Sequence, residues 1–168
     1  MVFERIDVGS DCIDAVVRVT ETAYSRTSAV PGLASSLLHL LPGLRRHSCE
    51  NGSAHGIVAE FADTETPHLL EHIAFELMAL AGSPRTLKGE TSWDFSADGE
   101  GVYHVRLAFD NDLVALGALK SGGEIVEWLL RSEEVRDTVG SGTPDIERIV
   151  ARLRMVREGE GKVDSALR

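Results

Sequence analysis

Aromatic side chains are scarce, at 5% of 168 residues, which withdraws support from a base-stacking platform or an aromatic-lined sugar cleft. Cysteine is nearly absent: Cys12 and Cys49 stand far apart with no CxxC pair, so there is neither a disulfide framework nor a zinc-finger spacing. The opening MVFERIDVGSD carries charges where a signal sequence needs an apolar run, and with two isolated thiols this points to a cytoplasmic setting. No apolar run is long enough to cross a bilayer, so no membrane partner is expected. Cations are also few. Seventeen Lys and Arg against twenty-seven Asp and Glu leave a formal charge of −10, a field that repels phosphate backbones and argues against nucleic acid. What is present, 43% hydrophobic residues over this length, suits one domain spanning 1–168 whose core needs no structural metal. A metal here would therefore be functional.

Along the chain, Val2 to Val8 and Ala15 to Thr20 alternate apolar and polar residues around Gly9, Ser10 and Asp11, which predicts a hairpin. Leu33, Leu37, Leu38 and Leu41 recur at helical spacing between Pro31-Gly32 and Pro42-Gly43, giving a short amphipathic helix. Arg45 to Gly56 reads as a loop, followed by a brief element, IVAEFA. The clearest helix starts at Thr66 as N-cap with Pro67 in first position and runs through HLLEHIAFELMALA to a stop at Gly82. Ser83 to Gly101 is expected to be one long connection, of a length that suggests a binding loop. VYHVRLAF, from Val102 to Phe109, reads as a strand, and Asp112 to Leu130 as a helix in which Gly117, Gly122 and Gly123 allow close packing. After a loop over 131–142, Thr143-Pro144 repeats the cap signature before an apolar stripe of Ile146, Ile149, Val150, Leu153 and Val156, with fraying expected over 160–168. No internal repeat or low-complexity tract divides the chain.

One constellation carries chemistry. His68-Leu69-Leu70-Glu71-His72 places two imidazoles at i and i+4 on one helix face, about 6 Å apart along the axis. One zinc ion can join them, and Glu71 stands where its carboxylate can take a proton from metal-bound water. This is the His-x-x-Glu-His order of inverzincins. A chance match somewhere in a chain of this length is on the order of one per cent or less, while the plain alternative is a pair of surface histidines beside a solvated glutamate. Leu69, Leu70, Ile73 and Leu77 make the opposite side apolar, so the helix is anchored and its histidines are held. Zinc needs a third protein ligand. Glu124 and Glu127 on the later helix are candidates, with Glu127 preferred; His47, Cys49 and His104 are further ones. Glu76 continues the row one turn beyond His72 and is expected to orient a ligand rather than bind metal itself. No phosphate-binding loop ends in Gly-Lys-Ser/Thr, and no nucleophile elbow surrounds a serine or cysteine.

The residues resemble the N-terminal domain of cyanophycin synthetases. The resemblance is carried by PGLASSLLHLLPGLRRHSC (Pro31 to Cys49), HLLEHIAFELMALAG (His68 to Gly82), GVYHVRLAF (Gly101 to Phe109) and IERIVARLRMVRE (Ile146 to Glu158), and covers nearly the whole chain. In that family the domain precedes an ATP-grasp ligase domain and a Mur-ligase-like domain that build a polymer of aspartate with side-linked arginine. This chain stops where those would start, so the resemblance implies the domain without the ligase. It also implies binding of the polymer and, in some members, a hydrolytic metal site, which falls on His68, Glu71 and His72. Where the family has a G-R-T-R stretch this sequence has Gly89 to Ser92, GETS. Arg85 and Lys88 are the nearest cations, and with Thr91 they are the expected substrate contacts.

The sequence thus predicts an α+β fold, a small mostly antiparallel sheet covered by helices. The expected function is a zinc-dependent, peptidase-like hydrolase of cyanophycin or a related Asp/Arg peptide, with Glu71 catalytic and His68, His72 and Glu127 as ligands. The rival reading is a non-catalytic peptide-binding or regulatory module. A homo-oligomer is compatible with either.

Overall fold

A computed structural model describes residues 1–49, 56–131 and 142–166, with side chains to residue 159. Strands β1 (Val2–Val8) and β2 (Cys12–Arg18) form the expected antiparallel hairpin. Along β2 the side chains of Ile13, Ala15 and Val17 are buried while Asp14 is exposed, the two-residue period of a sheet with one covered face. Helix α1 (Leu33–Leu40) buries Leu33, Leu37 and Leu38, and a 3-10 turn over Pro42–Arg46 follows it. The brief element is a single helical turn, α2 (Ile57–Glu60).

Helix α3 (Thr66–Leu80) begins at Glu65 rather than with a threonine cap. Thr66 already lies inside the helix, and its hydroxyl donates to the Tyr24 carbonyl at 3.1 Å. The expected stop is a Schellman turn: Ser83 N–H bonds Met78 O at 2.9 Å and Gly82 N–H bonds Ala79 O at 3.1 Å, with Gly82 at φ 103°, a conformation glycine adopts without strain.

The single long connection expected between Ser83 and Gly101 is corrected. It contains strand β3 (Gly89–Ser92) and the turn α4 (Phe95–Asp98). Strand β4 (Val102–Ala108) pairs antiparallel with both β2 and β3, giving sheet order β1-β2-β4-β3. Ile13 opposes Leu107, Ala15 opposes Val105 and Val17 opposes Tyr103, so both central strands present their apolar side chains to one face. Helix α5 (Asp112–Leu130) is capped by Asn111, whose side chain accepts from Val114 N–H at 2.8 Å. Helices α3 and α5 pack together, α3 over β3 and β4 and α5 against β2. Close approach comes from the expected glycines: a Cβ on Gly122 would meet Leu70 Cδ1 at 2.9 Å, and one on Gly117 would meet Leu153 Cδ2 at 2.6 Å. Helix α6 (Ile146–Ala166) buries Val150 and Leu153. Its first turn is held by Asp145, which accepts from Arg148 N–H at 2.9 Å, and not by Thr143. The loop expected over 131–142 lies outside the described residues except at its two ends, as do the side chains of 160–168. The architecture is the α+β single domain that was expected. Among the described residues no helix is long and apolar enough to cross a membrane.

Candidate functional site

Helix α3 is enclosed on almost every side, so its polar residues are buried too: His68 and His72 are 5% exposed, Glu71 6% and Glu76 1%. Burying four titratable groups on one helix costs free energy unless each is partnered. Each is. The surface-histidine reading fails on burial alone.

His68 and His72 point their Nε2 atoms at each other, 3.2 Å apart, and Cys49 Sγ lies 3.4 Å from His68 Nε2. The sulfur and one nitrogen from each ring all fall within 4.8 Å of one another. Cys49 is delivered by the chain that leaves the 3-10 turn and runs along α3, with His47 beside Glu76 and His72 and Cys49 beside His68. Burial lowers the His68 pKa, and lowers that of His72 to about 3 with the help of the neighbouring His68 and His47 rings. Both imidazoles are therefore neutral at pH 7, with lone pairs free for a ligand.

The far sides of the rings are held. His72 Nδ1 is 3.2 Å from His47 Nδ1, His47 Nε2 is 2.9 Å from Glu76 Oε2, and Arg85 donates to the same carboxylate at 2.7 and 3.3 Å. A carboxylate only accepts, so His47 gives its proton at Nε2 and, when neutral, accepts at Nδ1 from His72 Nδ1–H. His72 Nε2 is then a bare acceptor aimed at Cys49 and His68. On His68, Nδ1 lies 2.8 Å from Thr64 Oγ1. A hydroxyl both donates and accepts, so Thr64 can leave His68 Nε2 bare for a cation or let it donate to His72 without one. A thiol and two imidazole nitrogens with oriented outer nitrogens are a donor set that fits a borderline-soft cation.

Glu76 depends on its surroundings as well. Burial pushes its pKa up, but hydrogen bonds from His47 and Arg85 outweigh this and hold it at about 2. Its carboxylate occupies the space over Gly43, where an added Cβ would lie 1.8 Å from Oε1. Glu71, one face over, is pushed up to about 7 by burial; Thr91 Oγ1, which donates to it at 2.6 Å, opposes that rise, and Glu90 adds to it. Gly89 backs it, since a Cβ there would meet Glu71 Oε1 at 2.9 Å and the Arg106 carbonyl at 2.6 Å. Glu71, Gly89 and Thr91, with His47, His68 and His72, line an open pocket of about 700 Å³ whose walls also include Arg46, Cys49, Phe75, Arg85, Lys88 and Glu90.

Not every expected residue is here. Glu127, the expected third ligand, lies on α5 half-exposed, 3.8 Å from the Met1 amine, and the group that the described residues bring together is Cys49, His68 and His72 instead. Glu124 is exposed on the same helix, and His104 bonds Asp98 at 2.9 Å. Glu76 reaches His72 through His47, while Arg85, Lys88 and Thr91 all border the pocket, Arg85 being engaged with Glu76. Thr64, Gly43 and Gly89 were not foreseen. Thr64 precedes His68 by four residues, and that spacing was its one signal.

A family model for the cyanophycin synthase-like N-terminal domain matches residues 14–131. The chain belongs to this family. It is 29% identical to a cyanophycin synthetase of Geminocystis herdmanii (strain PCC 6308) over 111 residues, which is 58% of this chain and 13% of that protein. It is 35% identical to a cyanophycin synthetase of Synechocystis sp. (strain ATCC 27184 / PCC 6803 / Kazusa) over 63 residues, 37% of this chain and 7% of that one. The chain thus matches only a small part of either relative. These findings correct the expected function. The family and both relatives are named for synthesis, the making of a bond, and the expectation of a zinc-dependent, peptidase-like hydrolase does not stand. The spacing on α3 brings His68 and His72 together with Cys49 in a group that could hold a metal ion, which does not by itself specify bond cleavage.

Proposed function

We propose that this domain holds cyanophycin, or a related peptide of aspartate and arginine, in the service of a synthetase reaction. The reading is carried by the pocket beside α3 and β3, whose lining sets Arg46, Arg85 and Lys88 beside the exposed carboxylate of Glu90 and the buried Glu71. A ligand alternating carboxylate and guanidinium finds both charges answered there, whereas a purely anionic chain meets the overall charge of −10. Lys88 and Thr91 are the substrate contacts, and Arg85 acts at the rim while it holds Glu76. Cys49, His68 and His72 are proposed to hold zinc, which when bound supplies a fixed positive charge at the pocket floor for a ligand carboxylate. Thr64 and the His47–Glu76 pair keep the two imidazoles turned toward it.

The test is binding of cyanophycin, poly-aspartate and a neutral peptide at low and high salt. Cyanophycin should bind best, and less tightly as salt rises, because exposed charges are screened. Lys88→Glu should weaken it. Equal binding of all three would remove the assignment.

A further inference from the structure

Resting on the polymer-binding reading, we propose that Trp93, Phe95 and Tyr103 form an arginine subsite next to the pocket, which seats a guanidinium group of the bound peptide on an aromatic surface. The three rings touch: Trp93 and Phe95 have centroids 6.3 Å apart at an interplanar angle of 30°, and Tyr103 stands 5.6 Å from Trp93 and 5.4 Å from Phe95. Tyr103 is 3% exposed and anchors the group in the sheet, while Trp93 and Phe95 are 45% and 40% exposed. In a chain so poor in aromatics, two large rings stacked at the surface without joining the core mark a contact surface.

The charge around them selects the occupant. From Gly89 to Gly101 the sequence carries Glu90, Asp94, Asp98 and Glu100 and no lysine or arginine. Arg26, whose charge reaches Tyr103, is engaged by both Asp63 and Glu65, and Arg18, which donates to the Glu100 carbonyl, is paired with Glu4. An aromatic face with a negative surround favours a cation, and guanidinium, planar and weakly hydrated, stacks where ammonium does not.

Position links the rings to the pocket. Thr91 borders the pocket and opposes Val105 in the sheet, and Ser92 opposes His104, so Trp93 follows beside Tyr103 on the same face as Thr91. Two extended residues separate them, about 7 Å. An arginine of a peptide bound at Thr91 therefore has Trp93 one strand repeat away on the same face.

The experiment follows the Trp93 indole resonance of the whole chain, assigned from a Trp93→Phe spectrum, during titration with an Asp-Arg dipeptide and its Asp-Lys counterpart. In parallel, cyanophycin binding is measured for the wild type, Trp93→Phe and the Trp93→Ala/Phe95→Ala double variant. The subsite requires a larger indole shift with Asp-Arg than with Asp-Lys, binding about fivefold weaker in the double variant, and near wild-type binding in Trp93→Phe. Undiminished binding by a folded double variant overturns the subsite and leaves the polymer reading in place. If the wild type does not bind cyanophycin, the polymer reading falls, and the dipeptide titration then decides the subsite alone: no shift of the indole overturns it. The same titration decides should the double variant fail to fold.

Discussion

The Nε2 atoms of His68 and His72 face each other at 3.2 Å, with the Cys49 sulfur 3.4 Å from the first. Without a cation His68 Nε2–H can donate to His72, with Thr64 donating to His68 Nδ1; with one, both rings carry their proton on the outer nitrogen and aim their lone pairs at it. Close to one zinc per chain is therefore expected by elemental analysis after dialysis against the metal. The His68→Ala/His72→Ala variant should bind none, and Cys49→Ser should bind more weakly, since an alcohol is a poorer ligand than a thiolate. Wild-type protein that binds no zinc would remove the metal from this site.

A second expectation concerns Thr64, whose hydroxyl lies 2.8 Å from His68 Nδ1. Thr64→Val keeps the shape and removes the hydroxyl bonded to Nδ1, leaving Glu60 Oε1 at 3.9 Å from that nitrogen. Zinc affinity should fall about tenfold or more, as for other losses of a group behind a metal-binding histidine, with the fold retained by circular dichroism. Unchanged affinity would show that His68 needs no such support.

How far the site could be read from sequence follows from where its parts lie. His68, Glu71 and His72 share one helix, so their spacing alone puts them on neighbouring faces. Cys49 reaches them only through the packing of the segment after the 3-10 turn along α3, a relation no local period encodes. Glu127 was misplaced by helical phase: Gly122, Ile125, Val126 and Leu129 form the buried face of α5, which leaves positions 124 and 127 pointing outward. Strand β3 escaped detection because its inward residues, Gly89 and Thr91, face the Glu71 carboxylate and not the apolar core. The hydrophobic alternation that marks β2 and β4 is absent where a strand lines a polar site.

Gly43 supplies a steric test. The carbon added by Gly43→Ala would fall 1.8 Å from Glu76 Oε1, so Glu76 must move and release His47 or Arg85. Losing a charge-assisted hydrogen bond to a buried group costs roughly 1.5–3 kcal/mol. Urea unfolding should register a loss of that order. A Gly43→Ala/Glu76→Ala double variant should lose less than the sum of the two single changes, because both act on one network. Additive losses would separate Gly43 from that network.

Glu76 and Glu71 should respond to acid in opposite directions, although they share a helix. The Glu76 pKa is held at about 2, below the ordinary carboxylate value. Its stabilising contribution is thus present above about 4.5 and is lost as pH falls toward 2. Chelated wild type should lose stability over that interval, and Glu76→Gln, already weakened at neutrality, should lose less. A parallel pH slope in both proteins would mean that Glu76 does not titrate abnormally.

For Glu71 the sign reverses. Burial raises its pKa to about 7, so the folded protein retains a proton that the unfolded chain releases near 4.5. The stability tied to that proton is complete below about 4.5 and is lost as pH rises through 7. Glu71→Gln mimics the protonated carboxyl, and it can still accept from Thr91 through its amide oxygen. It should match the wild type below pH 4.5 and exceed it above pH 7, with melting temperatures measured in chelator so that metal binding does not enter. The difference should grow through the window between those values and then level off. A variant less stable than wild type at pH 8 would mean that the ionised carboxylate is favoured in the folded state, and the attribution of the shift to burial would fail.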